Sequence, residues 1–531
     1  MPLYYLGLDI GGTWIKGSSI VDPGQEILDW EKRLPDIQIV RVKSPLDESS
    51  AIDQLTEAIK QICRALNIGG RTLGGIGIST GGIVDYAGKR VTHAAGHLTA
   101  LKNSEWIEVL EEEFKCPVSV INDADAASIG LAELGLLRGD KTVGIMPVGT
   151  GLGFAIWRNG RRWRPGKNLT LLGSIRTPSG FYDGIASASK LAAEDAGNNL
   201  IEVLTHPSHS EARDRYIHNL VDVINTAGIL YNLDEVMICG GLTEAASACN
   251  FPLEEVLNSR LGKIPVELDE PVMSKILDHG NRLQLIGAIS LAMGEAIARE
   301  NWIPQPYDDI KTEVPWQKDL RLEKLSTPDL TKIFWETEQE AGRSFEESLP
   351  IITEVADHVA ERLNSGGRVI YVGAGTSGRI AAMDTVEIPS TYGFPEDRIL
   401  CLIAGGIADA SIEIESDFEK DASAVPEILL LNITAQDVVI GITASGTAYY
   451  VKSALAFAKH RGALSVMIQR DPCGEVLPFY DFTIPMNSGN EVVAGSTRMK
   501  AGTATKKILN IISSSVMIKM ANKVIKDMQK K

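Results

Sequence analysis

Residues 368–387 read RVIYVGAGTSGRIAAMDTVE. The β-branched and apolar run from Arg368 to Val372 has the composition of a parallel core strand. Gly373, Gly375 and Gly378 allow a sharp turn after it, and Thr376 and Ser377 open a helix. Such a turn is an anion seat, because backbone N–H groups at a helix start are unpaired and partly positive, and the two hydroxyls add donors. The Gly-Lys-Ser ending of a Walker loop is missing, so the expected ligand is a phosphate that is held rather than transferred, on a phosphorylated sugar. Glu387 adds a carboxylate on the same helix.

Outward from this stretch the alternation of strand and helix continues. Ile399–Ile403, Val438–Ile442 and Ala463–Ile468 read as strands, each followed by a turn or helix, which is a doubly wound α/β pattern. Thr443-Ala-Ser-Gly-Thr447 is a second hydroxyl-rich turn at a strand's carboxyl end, where open α/β sheets place ligands. Glu491–Thr503, EVVAGSTRMKAGT, supplies more hydroxyls and two cations. Upstream, Ser326-Thr-Pro-Asp329 looks like a helix start, and Asp329–Asn364 keeps helical apolar spacing. Trp302 to Leu325 carries Pro304, Pro306 and Pro315 among charged residues, the composition of a domain boundary.

From about Ser326 onward these motifs, GAGTSGR, LIAGG and GSTRMKAGTA, resemble a sugar isomerase (SIS) domain, and within that class the N-acetylmuramic acid 6-phosphate etherases and their relative, glucokinase regulatory protein. The resemblance implies cleavage of the D-lactyl ether of the sugar phosphate, giving N-acetylglucosamine 6-phosphate. One carboxylate removes the C2 proton of the ring-opened aldehyde, an acid protonates the departing lactate oxygen, and water then adds back at C3. By motif Glu387 falls on one catalytic glutamate; counting nine residues past Gly406 reaches Glu415 for the other, with Glu413 as a neighbouring alternative. Gly375, Thr376, Ser377, Gly378 and Arg379, then Ser445, Gly446 and Thr447, then Glu491, Ser496, Thr497 and Lys500 would bind the substrate. Thr447 stands where the family has an arginine, a lost cation that Arg379, Arg498 or Lys500 would have to replace. A homodimer through this domain is expected, because related SIS proteins build their sites across two copies.

The other end carries a different set. Tyr4–Ile10 reads as a strand followed by Asp9-Ile-Gly-Gly-Thr13, whose glycines let backbone approach a polyphosphate. Then come Gly77–Asp85 (GISTGGIVD), Asn122–Ala127 (NDADAA), Val148–Gly153 (VGTGLG) and Val236–Gly241 (VMICGG). The first and fourth look like one glycine-tipped hairpin used twice, which predicts two α/β lobes related as a pseudo-repeat. The ordered set resembles the ROK family of sugar kinases in the actin-like ATPase (ribonuclease H-like) superfamily. It implies ATP and Mg2+ as cofactors, with Asp9 orienting the metal. Gly11, Gly12, Thr13, Lys16, Gly149, Thr150 and Gly151 would hold the phosphates, and Gly240 and Gly241 would lie under the adenosine. Asp123 would be the general base, a role a carboxylate can fill by taking a sugar hydroxyl's proton as the phosphoryl group moves; alone, it would read more readily as a helix cap. Thr80, Gly81 and Asn122 would face the sugar. Where the family carries E-x-G-H and a zinc-holding cysteine cluster, this chain has Leu171-Leu-Gly-Ser174 and Pro178–Asp183 without cysteine. No structural zinc is expected, and a bulkier or differently substituted ring than glucose is. A family repressor is not expected, since no helix-turn-helix sequence precedes the first strand. His93 and His97 receive no role.

Length and composition set the outer bounds. At 531 residues, 44% hydrophobic and 23% charged, the chain exceeds one core. Its net charge of −17 opposes nucleic acid and anionic membranes, and the basic stretch Lys519–Lys531 reads as a solvated helix end. No apolar run approaches the ~20 residues of a membrane span, no signal segment is seen, and six scattered cysteines form no C-x-x-C pair, so the cytoplasm is the expected compartment. The expected organisation is a two-lobed kinase over 1–305, lobes near 1–135 and 136–305, a linker 306–325 and a doubly wound SIS domain over 326–531. The expected function is bifunctional: 6-phosphorylation of N-acetylmuramic acid or a related hexosamine, then ether cleavage. The alternative is a kinase regulated by a sugar-phosphate-sensing domain.

Overall fold

The computed structural model of the chain describes residues 2–528 apart from 25–27, 45–49, 70–71, 86–89, 94–98, 100, 103–104, 138–140, 164–171, 196, 198, 262–271, 278, 301–313, 315, 318–319, 406–421 and 471–478. Glu413, Glu415, Leu171, His97 and much of the expected linker lie outside the described residues. The chain divides into two compact units, with main spans Met1–Ala296 for the first and Ile297–Ile428 with Ile433–Lys531 for the second.

The first unit contains two five-stranded sheets of one design. Strands β1 (Tyr4–Ile10), β2 (Trp14–Val21), β3 (Val40–Lys43), β4 (Leu73–Thr80) and β5 (Val118–Asn122) lie in the order β3-β2-β1-β4-β5. Strands β6 (Val143–Pro147), β7 (Ala155–Arg158), β8 (Arg161–Trp163), β9 (Glu235–Cys239) and β10 (Met273–Ile276) repeat it as β8-β7-β6-β9-β10. In each, a hairpin pairs antiparallel and the two strands beyond it run parallel to its first strand. The expected pseudo-repeat is therefore present, with its two glycine tips at equivalent corners.

Two helices, α1 (Asp123–Glu133) and α3 (Arg282–Glu300), close on these sheets, and α2 (Gly241–Ala248) follows β9. Glycine sets how close they come. A Cβ built on Gly77 of β4 would lie 1.8 Å from the Ala288 carbonyl oxygen of α3, and one on Gly287 would lie 2.1 Å from that of Ala126 in α1. Backbone packs on backbone there, which any larger residue would prevent.

The second unit is one parallel sheet. Strands β11 (Val369–Gly373), β12 (Ile399–Ile403), β13 (Val438–Thr443), β14 (Leu464–Gln469) and β15 (Phe482–Pro485) lie in the order β12-β11-β13-β14-β15. Central β11 and β13 are buried along their whole length, as strands covered on both faces must be. The fifth strand was not expected from the sequence, being four residues long and ending in proline at the sheet edge. The segment 329–364, with its helical spacing, is two helices, α4 (Thr327–Ala341) and α5 (Leu349–Asn364). Gly342 caps the first, Pro350 stands in the opening turn of the second, and between them Ser344 and Ser348 donate to the Met486 and Pro485 carbonyls at the edge strand. Helices α6 (Gly375–Tyr392), α7 (Tyr449–His460) and α8 (Lys500–Met528) complete the unit. Residues of α5 and α8 such as Val355, Ile508 and Ile512 pack on Val438, Ile440 and Val466. Among the described residues no helix is long and apolar enough to cross a membrane.

Candidate functional site

In the first unit the carboxyl ends of β1, β4, β5 and β9 bring the expected residues together. Asp9, 7% exposed at the end of β1, accepts from Lys16 Nζ and from Ser79 Oγ, each at 3.1 Å. Asp123 is the first residue of α1, and burial first, then the negative charge of Asp9, pushes its carboxyl up to about 7. Burial, then the charges of Asp123 and Asp9, raise the thiol of Cys239, the last residue of β9. A Cβ built on Gly153 would meet Asp123 Oδ1 at 3.3 Å, so the second glycine hairpin lies directly beside the carboxylate. Asp123 is not the helix cap. Asn122 is: its Oδ1 accepts from the Ala124 and Asp125 N–H groups at 3.0 and 3.2 Å, while its Nδ2 donates to the Gly82 carbonyl at 2.8 Å. Thr80 is buried and its hydroxyl leans to the neighbouring Gly81 carbonyl at 3.5 Å.

Both glycine tips are braced. At the first, Gly11 N–H donates to the Trp14 carbonyl at 3.0 Å, with Gly12 and Thr13 in between. At the second, Gly149 N–H donates to the Gly151 carbonyl at 2.9 Å, Ser189 Oγ donates to the Thr150 carbonyl at 2.7 Å, and Asp183 Oδ1 accepts from Leu152 N–H at 2.7 Å. Asp183, in the segment that has no cysteine, thus packs on the second glycine tip. Gly240 has φ +100° and its Cβ position lies 2.9 Å from the Val148 carbonyl, so only glycine lets β9 turn into α2 and Gly241 at this place. A buried pair of Arg162 and Asp125, Nε to Oδ1 at 2.5 Å and both 2% exposed in their side chains, fixes the first turn of α1 from the second sheet.

In the second unit β11 enters the turn Ala374–Gly378 and α6 begins without a side-chain cap. Thr376, Ser377 and Arg379 are half-buried there, and Gly375 has φ +51°. A Cβ built on Gly502 would reach Thr376 Cγ2 at 3.7 Å, so the start of α8 lies against this turn. At the end of β13, Ser445 and Thr447 hydroxyls bond each other at 2.7 Å and Gly446 N–H donates to Thr443 Oγ1 at 3.2 Å. Ser496 and Thr497 are half-buried in the loop before α8. Glu491, expected to touch substrate, has another occupation: it is 1% exposed, and its oxygens accept from the N–H groups of Lys500 and Ala501, each at 3.0 Å. A carboxylate on two free N–H groups at the start of α8 is a helix cap. Burial raises its pKa, against the lowering effect of those two bonds.

Glu387 is exposed on α6, and its Oε2 lies 3.3 Å from Lys506 Nζ of α8. One turn earlier Asp384 is buried, accepting from Tyr371 Oη at 3.0 Å, and burial raises its carboxyl while Lys506 lowers it. Twelve residues of unbroken helix separate Gly375 from Glu387, about 18 Å at 1.5 Å per residue. Sequence reading gave no role to Ser79, although it lies within the Gly77–Asp85 stretch, and missed Lys506, which lies in no glycine-marked turn.

A family model described as "ROK family" matches residues 5–173, and one described as "Glucokinase regulatory protein N-terminal SIS domain" matches residues 351–459. The N-acetylmuramic acid 6-phosphate etherase of Clostridium beijerinckii is 38% identical over 212 residues, 40% of this chain and 70% of that one. That of Nostoc punctiforme is 39% identical over 219 residues, 41% of this chain and 70% of that one. A ROK family glucokinase from Streptomyces griseus, solved with glucose and AMPPNP, is 21% identical with a TM-score of 0.41, covering 55% of this chain and 99% of that one.

Proposed function

From a chain that belongs to the N-acetylmuramic acid 6-phosphate etherase family through its second unit and carries an N-terminal ROK domain, we propose two consecutive reactions on one amino sugar. The first unit, taken as 1–305, transfers the γ-phosphoryl of ATP to the 6-hydroxyl of N-acetylmuramic acid. The second, taken as 326–531, cleaves the lactyl ether of the product. The observation that carries the first half is the meeting of Asp9 and Asp123 between two glycine hairpins.

Asp123 orients the sugar 6-hydroxyl and takes its proton, and a carboxyl with a pKa near neutrality suits that task. Gly11–Thr13 and Gly149–Gly151 provide backbone for the phosphates, Lys16 provides charge, and Gly240–Gly241 let the adenosine lie close. Asp9 would hold Mg2+: bonded once at each oxygen by Lys16 and Ser79, it keeps acceptor capacity of the hard oxygen type that this ion prefers. When bound, Mg2+ neutralises charge on the transferring phosphoryl group.

In the second unit Gly375–Gly378 and Ser445–Thr447 seat the 6-phosphate, and Glu387 is one of the two acid–base carboxylates, with Glu415 as the expected other. Glu387 lies about 14–18 Å along α6 from the seat at Gly375–Gly378, more than the length of one hexose phosphate. We therefore infer a homodimer in which Glu387 serves the ligand seated on the other copy. A purified sample given ATP and N-acetylmuramic acid should form ADP and D-lactate together; neither product would overturn the proposal. A second reading, a kinase governed by a sugar-phosphate sensor, is favoured by one feature: Thr447 brings no charge and bonds Ser445. ADP without lactate would support it.

A further inference from the structure

A buried carboxylate with no task in either reaction lies one turn before Glu387. Asp384 of α6 is 3% exposed, and an apolar residue of its size would hold that place at less cost than a buried charge. Its partners belong to the elements that build the proposed second site. Tyr371 of β11, the strand that feeds the Gly375–Gly378 turn, donates from its Oη to Asp384 Oδ2 at 3.0 Å. Ser513 Oγ of α8 lies 3.5 Å from Oδ1. Glu387 follows three residues later on the same side of α6. Lys506, seven residues before Ser513 and so on the same side of α8, reaches Glu387 Oε2 at 3.3 Å.

The three charges feel one another. Burial raises the Asp384 carboxyl; the Tyr371 bond, the charge of Lys506 and the Ser513 bond lower it, and the charge of Glu387 raises it further. Among the described residues these four are the groups that face it from β11, α6 and α8. Their depths differ. Glu387 is 58% exposed in its side chain and Lys506 28%, so a contact between those two alone is screened by water and loosely held. A buried negative charge on the inner side of the lysine restrains it where water competes less. We propose that Asp384 is a positioning residue for Glu387: tied to β11, it holds Lys506 from within, and the lysine in turn fixes the place of the Glu387 carboxylate. Asp384 itself touches no reacting atom. This rests on the reading of the second unit as an ether-cleaving site that uses Glu387.

The test follows D-lactate released from N-acetylmuramic acid 6-phosphate by the full-length protein, which leaves the first reaction out of the measurement. Asp384→Asn keeps the shape and still accepts from Tyr371, so it should melt near the wild-type temperature while kcat falls about tenfold and KM stays within about twofold. One limb of its kcat/KM profile should move to lower pH, because a negative charge beside Glu387 is gone and Lys506 serves Glu387 alone; a purely structural role would leave both limbs in place. Asp384→Asn combined with Lys506→Met should be about as slow as Lys506→Met alone, since both act along one route. Tyr371→Phe removes the tie to β11 with the charge kept, and should lower kcat about threefold at unchanged KM. If the wild type releases no lactate, the reading of the second unit fails and this inference with it. If the wild type is active and Asp384→Asn, or Tyr371→Phe where that variant does not fold, retains its kcat, this inference alone fails. It fails alone too if the loss appears in KM, or if the double variant is slower than Lys506→Met by a further factor of about ten.

Discussion

The two candidate acid–base carboxylates are set by opposite means. Asp123 is held at the first turn of a buried helix, beside another carboxylate and with its pKa raised, whereas Glu387 is an exposed helical residue held by one cation, Lys506. Burial tunes a group wherever protein encloses it, and within one copy it is Asp123 that is enclosed. The first site has both of its walls within one unit; in the second the glycine turn lies at one end of α6 and Glu387 near the other. On the proposed reading the first site is complete in one copy and the second is shared between two.

Separate loss is the strongest way to break this comparison. Asp123→Asn should lower kinase turnover by about 10²–10⁴-fold while leaving lactate release from N-acetylmuramic acid 6-phosphate intact. Glu387→Gln should do the reverse, by about a hundredfold or more; mixing it with a variant whose phosphate seat is impaired should restore part of the lactate release if Glu387 serves the other copy, and no recovery would count against a shared site. The kinase should also follow Asp123 in pH: kcat/KM should fall about tenfold per unit below pH ~7 and level off above it. The sign for stability is opposite. A carboxyl whose folded pKa is raised from 3.8 to about 7 favours the ligand-free fold below 3.8, and that contribution is lost as pH rises through 7, which a melting series between pH 5 and 8 would detect. Lys506→Met should lower lactate release by about tenfold, with recovery in Lys506→Arg, since one charge-assisted contact to Glu387 is removed. The smallest effect is expected at Glu491→Gln: about 1 kcal/mol of stability by urea unfolding, with the KM for sugar phosphate unchanged, because the residue caps α8.

Much of the fold was legible. Strands at Tyr4–Ile10 and Ile399–Ile403, the repeated hairpin and the helix start at Ser326 all follow from local rules of period, glycine and capping. The break at 342–348 was less visible, because apolar spacing on both sides is helical and the serines that hold the gap bond to a distant edge strand. Asp123, Asp9 and the glycine tips were readable because chemistry that handles phosphate needs those residue types in short runs. The cap at Asn122 and the cap at Glu491 were not, since Asn, Asp and Glu can each bind a ligand or a free N–H group, and only the backbone around them decides.

Taken alone, the amino-acid order determined which segments become strands and helices, where the backbone must bend, and that two phosphate-handling regions share one polypeptide. These are properties of neighbours in the chain, governed by dihedral limits and side-chain period. Tertiary structure alone decided that Asp9 and Asp123 share a charge environment, that Lys506 meets Glu387 across 119 positions, and that Tyr371 and Ser513 converge on Asp384. Electrostatic coupling depends on distance in space and on the exclusion of water, and neither is written in the spacing of residues along the chain.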